Sequence, residues 1–257
     1  MAYDHFGAPI KSTEVALAAF TDAVESVKSH PFSGTAFMKP ATTLPAVRVA
    51  SSSVRDPMLA ATNLASQLSH EHLGCVLFFC SAEYDLGRLG SALEHSFQGV
   101  RVCGCTSAGE ITPEGYGRGC ITAIGFDRRY FAIDCALIRE LDRFTLQDAQ
   151  GVIDGLLSTC RDARLAPVKG NTFAITLLDG LSSREELVLA TLNSALGTIP
   201  QFGGSAGDDE RLANTHVFFD GQFHTGAATV LLVNTPLDFR VFSTHHMVER
   251  SEKLAVT

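Results

Sequence analysis

Two short stretches hold most of the side chains that could do chemistry. Gly203-Gly204-Ser205-Ala206-Gly207 has the Gly-x-Ser-x-Gly spacing of a hydrolase nucleophile elbow, in which a sharp strand-to-helix turn lifts the serine hydroxyl above a sheet. Ser205 would be the nucleophile, with His216 or His224 as its base. The elbow requires a helix after the serine, whereas the chain continues through Asp208-Asp209-Glu210 to the strand-like Val217-Phe218-Phe219. The other stretch, Ser107-Ala108-Gly109-Glu110, matches Ser205-Ala206-Gly207-Asp208 at a spacing of 98 positions, and it has Cys105 where the elbow needs its first glycine. A repeated loop therefore accounts for the match without a nucleophile. Small residues let the backbone turn tightly after a strand, and they also leave amides able to meet a ligand. The candidate ligand-binding residues are Ser107, Gly109, Glu110, Ser205, Gly207 and Asp208: amides beside a carboxylate suit a small zwitterion such as an amino acid.

Other chemistries find less support. The chain has no Gly-x-x-x-x-Gly-Lys-Ser/Thr, and Gly104 to Gly109 lacks the inner glycine of a dinucleotide fingerprint, so no nucleotide cofactor is expected. Cys103 and Cys105 share one side of a strand but supply two metal ligands at most, and His70-x-His72 near a helix end points its rings apart. Structural zinc is not expected. Seven cysteines is an odd number, and Cys75, Cys80, Cys103, Cys120 and Cys135 lie in apolar runs where cysteine acts as a small hydrophobe, which argues against a disulfide framework.

The elements that must position the two loops repeat as well. Val76 to Ser81 falls on Ala174 to Asp179 at the same spacing of 98. Each copy reads as an apolar strand, a helix, a second strand and the small-residue loop. Asp85 caps a helix with Leu86, Leu89, Leu93 and Phe97 on one face; Ser182-x-x-Glu185 has the capping-box pattern before Leu189, Leu192 and Leu196. Such a crossover places its two strands parallel. Around the copies, the periodicity predicts a helix over 13–28 and a connector over 30–45. A strand at Val47-Arg48-Val49-Ala50 leads to a helix opened by Asp56-Pro57, with Leu59, Asn63, Leu64 and Leu68 along it. Residues 120–126 and 130–137 read as a hairpin about Asp127-Arg128-Arg129. A helix capped by Thr145-x-x-Asp148 bridges the copies, a second hairpin turns at Asp220-Gly221, and a last strand is expected over 238–244. The expected fold class is α/β, with mixed sheets built from two duplicated strand-helix-strand-hairpin units and helices packed outside.

With 257 residues and 46% hydrophobic content the chain can bury a large core. A net charge of −8 with no basic run disfavours nucleic acid and anionic membranes as partners. The first residues have neither the basic nor the apolar region of a signal peptide, and no apolar run approaches the ~20 residues of a membrane span, so a soluble, cytoplasmic protein is expected.

Taken in order, Val47 to Ser51 before Asp56-Pro57, Phe79 to Leu86, Gly104 to Ile111 with Gly115-Tyr116, and Gly203 to Asp209 resemble the FIST family, and together they span most of 47–233. The resemblance implies a non-enzymatic sensor of a small ligand in bacterial signal transduction. It divides the chain into 1–46 outside the match, an N-terminal FIST-type domain over 47–235 with copies at about 75–138 and 173–233, and the truncated start of a C-terminal unit over 236–257. Amino acids are the ligands the family broadly implies; one branch binds haem, senses nitric oxide and acts through a histidine kinase or cyclic-di-GMP signalling. Haem needs one axial histidine and an apolar pocket. His245 and His246 are the candidates, one or the other, because they end a run rich in aromatics in which His245 shares a face with Phe239 and Val241, and His246 with Phe242. Both also read as polar residues at a strand end. His95, at a helix end, reads as surface.

Overall fold

A computed structural model describes residues 45–209 and 211–241. The helix expected over 13–28, most of the 30–45 connector, and both His245 and His246 lie outside the described residues.

The local signals work where a cap and an apolar face coincide. β1 (Val47–Ser52) leads to α1 (Pro57–Leu68), where Asp56 accepts the Leu59 amide at 3.0 Å and Pro57 takes the first helical position. The helix buries Ala60, Ala61, Leu64 and Leu68, while Leu59 faces outward. β2 (Leu73–Ser81) is followed by α2 (Leu86–Ser96), capped by Asp85 on the Arg88 amide at 3.0 Å, and by β3 (Arg101–Ser107). A small hairpin, β4 (Glu110–Thr112) and β5 (Gly115–Gly117), precedes β6 (Ile121–Asp127). Then come β7 (Ala132–Ile138), α3 (Leu146–Ala163) with the Thr145/Asp148 capping box formed, β8 (Thr172–Leu178), α4 (Glu185–Leu196) and β9 (Gln201–Ser205). The hairpin β10 (Val217–Phe219) and β11 (Gln222–His224) leads to β12 (Ala228–Asn234).

Among the described residues the strands form two large sheets, ordered β1-β6-β2-β3-β10-β11 and β7-β12-β8-β9, beside the two-stranded ribbon β4-β5. One apolar layer, including Leu77, Cys103 and Phe126 from the first sheet and Cys135, Ile175 and Leu231 from the second, fills the space between them. α1 and α2 cover the outer face of the first sheet, and α3 and α4 that of the second. The described residues are thus four layers deep, helix-sheet-sheet-helix. Burying each leucine of these layers contributes about 1.5–3 kcal/mol.

The connectivity of the first half recurs in the second. β1-α1-β2-α2-β3-hairpin-β6 is answered by β7-α3-β8-α4-β9-hairpin-β12, with the four strands of each in the same order. The antiparallel registers agree: Cys80 lies opposite Ile121 as Leu178 lies opposite Ala228, and Val47 opposite Phe126 as Ile133 opposite Val233. This unit of topology starts one strand and one helix earlier than copies at 75–138 and 173–233, and it makes α3 the counterpart of α1 instead of a bridge.

Three sequence expectations change. First, β6 and β7 form but do not pair as a hairpin; they belong to different sheets. The turn ties itself up, with the Asp127 carboxylate holding the Arg129 amide and guanidinium and the Phe131 amide bonding the Asp127 carbonyl at 3.0 Å. Phe126 and Phe131 then meet edge to face at 5.2 Å across the inter-sheet layer, so apolar burial outweighs a ladder. Second, the Ser182/Glu185 capping box does not form: Arg184 occupies the cap position without a side-chain bond, and Glu185 bonds Ser205 instead. Third, 238–241 is not a strand. Leu237, Phe239 and Val241 pack on the inter-sheet core, Phe239 lying 4.7 Å from Phe173 ring to ring, and residues 242–244 lie outside the described residues.

Candidate functional site

The carboxyl ends of the parallel pairs β2/β3 and β8/β9 carry the two small-residue loops, where ligands gather in open α/β sheets. The structure brings the loops into contact. The Gly207 amide bonds the Thr106 carbonyl at 2.9 Å, and a Cβ added at Gly207 would come within 2.7 Å of the Ala108 nitrogen, so only glycine fits there. After Gly207 the second loop crosses to the first unit, and β10 pairs antiparallel with β3, with Val217 opposite Cys105.

The one-to-one match of Ser107 with Ser205 is displaced by one residue. β2 pairs with β3 so that Cys80 faces Thr106, while β8 pairs with β9 so that Leu178 faces Ser205. The glycines agree: a Cβ at Gly104 would collide with the Phe78 carbonyl oxygen and one at Gly203 with that of Thr176, two positions 98 apart against which the glycines are 99 apart. Thr106 is therefore the counterpart of Ser205, and Ser107 that of Ala206. One extra residue between β8 and β9 is invisible to an ungapped alignment whose identities all sit beyond it.

The two acids of the motif are used differently. Glu110 is fully buried at the start of β4; it accepts the Ser107 hydroxyl at 2.9 Å and the Cys120 thiol at 3.2 Å. Burial pushes its carboxyl up to about 6, with the nearby Asp209 adding to the rise and the Cys120 and Ser107 bonds opposing it. Asp208 instead organises its own loop, accepting the Leu212 and Asn214 amides at 2.8 Å each and the Ala213 amide between them. The carboxylate that approaches Glu110 from the second unit is Asp209, in the left-handed region at φ 61°, which takes the Ser81 hydroxyl at 3.1 Å. Gly109 lies under the Tyr116 ring, and the Tyr116 hydroxyl reaches the Ala108 carbonyl at 3.2 Å, so the β4–β5 hairpin straps the first loop.

Residues the sequence reading passed over complete the junction. Asp179, directly after β8, accepts the Leu181 amide at 3.0 Å together with the Thr215 hydroxyl and the Gly226 amide, and the last two hold the second loop just before β10 and just before β12. Its counterpart in the first unit is Ser81. Ser81 ends β2 and Asp179 directly follows β8, so both close an apolar run, the one signal that marked them. Arg211 meets Glu83 at 3.3 Å across the units, an exposed pair of small energetic weight.

Ser205 does not sit in a strand-turn-helix nucleophile elbow. It ends β9, an irregular loop follows in place of a helix, and its hydroxyl bonds Glu185. His216 lies just before β10 of the other sheet, its ring 6.3 Å from Phe223; burial lowers its basicity, and its Nδ1 is buried without a hydrogen-bond partner among the described residues. It lines an open groove of about 610 Å³ between α2 and the β10–β11 hairpin, with Ser91, Glu94 and Asp220 on the walls. A groove of about 430 Å³ runs between α4 and β9 past Leu189 and Phe202.

Among the described residues no three His, Cys, Asp or Glu side chains are placed to hold a metal ion, and no helix is long and apolar enough to cross a membrane. His245 and His246, the histidines expected to hold a haem iron, lie outside the described residues. Comparison with the curated proteins gave no match. The FIST N domain family model matches residues 74–257, and the chain therefore belongs to the FIST N domain family, a family of sensory domains in signal transduction.

Proposed function

We propose that this chain is a ligand-sensing module whose ligand, an amino-acid-like zwitterion, binds at the junction of the two small-residue loops. The observation that carries the reading is the seating of Gly207 on Ser107-Ala108, with its amide on Thr106: loops from both units form one structure, so a molecule held there biases how the units sit together. Glu110 and Asp209, one carboxyl from each unit, offer an ammonium group its partners, the amides about Ser107 and Gly109 offer a carboxylate its donors, and Ser205 and Gly207 shape the facing loop. Asp208 holds the second loop in shape. The Tyr116 strap over Gly109 is the element that moves to admit the ligand. A thermal-denaturation screen with single amino acids tests this. A ligand at 100 times its dissociation constant adds about 2.7 kcal/mol of stability, and Glu110→Gln removes that gain; a panel without any shift overturns the reading.

A second reading keeps haem as the cofactor, with His245 or His246 on the iron and nitric oxide as the signal passed to a histidine kinase or a cyclic-di-GMP enzyme. What favours it is the anchoring of Leu237, Phe239 and Val241 beside Phe173, which delivers the chain toward those histidines from an apolar aromatic surround. Titration with hemin gives a sharp Soret band that nitric oxide shifts and that one of His245→Ala or His246→Ala abolishes; absence of the band rules haem out.

A further inference from the structure

Seven free cysteines are buried, and two of them face each other across the middle of the molecule. Cys103 Sγ on β3 and Cys135 Sγ on β7 are 3.1 Å apart, closer than two sulfurs rest without a bond or a shared proton. The strands belong to different sheets and different units and share no backbone ladder, so this contact is purely between side chains. Cys103 is fully buried and Cys135 is 6% exposed on an edge strand. The same two strands are joined nearer the surface by Arg101 and Asp134 at 2.9 Å, side chains 45% and 17% exposed. The pair therefore lies one salt bridge beneath solvent, with Cys135 on the outer strand of its sheet among the described residues.

We propose that Cys103 and Cys135 form a reversible disulfide that locks the two sheets together under oxidising conditions. The sulfurs need to close by about 1 Å to reach the ~2.05 Å of a bond. With a low-molecular-weight disulfide as oxidant the chemistry balances in two exchanges. One cysteine, as thiolate, attacks the reagent to give a mixed disulfide and releases one small thiol. The second cysteine then displaces the other small thiol, leaving the Cys103–Cys135 bond. Two electrons and two protons pass from the protein to the reagent, which ends as two thiols. In the resting chain both thiols are held protonated, Cys135 by its contact with Cys103 and by burial, so the exchange is slow at neutral pH and waits on opening of the edge. The bond closes the loop from 103 to 135 and ties β3, which carries Ser107 at its end, to the first strand of the other unit.

The experiment treats the folded, purified chain with oxidised glutathione, blocks remaining thiols, and maps crosslinked peptides by mass spectrometry alongside thermal denaturation. A Cys103–Cys135 peptide is expected as the main product, with a melting temperature about 5 °C or more above the reduced chain and reversal by dithiothreitol. Cys75→Ala, which leaves the pair intact, keeps the link and the shift; Cys135→Ser loses both. Glutathione adducts alone, a different pair, a link that appears only after prior denaturation, or an oxidised form that melts no higher each overturns the proposal. None of these outcomes bears on whether an amino acid binds at the loops.

Discussion

The two units share strand order and antiparallel register, yet they finish their carboxyl ends differently. In the first, Ser81 and Glu110 meet a short connection: Ile121 follows Thr106 by 15 positions. In the second, Ala228 follows Ser205 by 23, and the longer loop leaves its own sheet to lie on the other. At equivalent strand ends the first unit has the hydroxyl of Ser81 and the second the carboxylate of Asp179, which pins that longer loop through the Thr215 hydroxyl and the Gly226 amide. Scaffold geometry is held constant while the loops diverge.

The most severe way to break the comparison is at the paired glycines. Gly104→Ala and Gly203→Ala each drive a methyl into the carbonyl of the neighbouring parallel strand, and each is expected to cost about 3 kcal/mol or more in chemical denaturation. If Gly203→Ala were neutral, the one-residue displacement between the units would be wrong. Next comes the strand-end pair. Asp179→Ala leaves three donors unsatisfied and is expected to cost about 3 kcal/mol, against about 1 kcal/mol for Ser81→Ala; equal losses would show that the longer loop is not held from Asp179.

A gentler probe is Glu110, the buried acid of the first loop. Its carboxyl is raised from 4.5 to about 6 in the folded chain, so the folded state prefers it protonated. The stability it contributes is fully present below about pH 4.5 and is lost as pH rises through 6, a change of about 2 kcal/mol. Denaturation of wild type and Glu110→Gln should therefore match at pH 4 and diverge by pH 7, with the variant the more stable; parallel curves would refute the burial argument. The smallest effect is at the helix caps. Asp56→Ala and Thr145→Ala, at the starts of α1 and α3, are each expected to cost about 1 kcal/mol, and a marked difference between them would reveal unequal support of the two outer layers.

Much of this was legible before any coordinates. Asp56-Pro57, Asp85 and Thr145-x-x-Asp148 announced three helices because a cap acts within one turn and depends on nothing distant. Strand content followed from apolar runs, and the parallel pairs from strand-helix-strand order. The failures have one cause. Ser182 and Glu185 satisfy the capping pattern, but a competing partner, Ser205, lies 20 residues away in sequence and adjacent in space. Likewise 120–137 has the alternation and turn of a hairpin, and nothing local says that its two strands will face each other across a core instead of pairing edge to edge.

For the site, the sequence by itself determined that two small-residue loops with acids end two similar strand-helix-strand units, because glycine, serine and strand periodicity are local requirements. Only the tertiary structure decided which acid matters to the junction. Asp208 turns inward to its own amides and Asp209 turns across to Glu110 and Ser81, a choice set by the path of the loop over the other sheet. The tertiary structure also placed Cys103 against Cys135 and displaced Ser205 from Ser107 by one position, since contacts between sheets and the register of a parallel ladder depend on how separate elements pack.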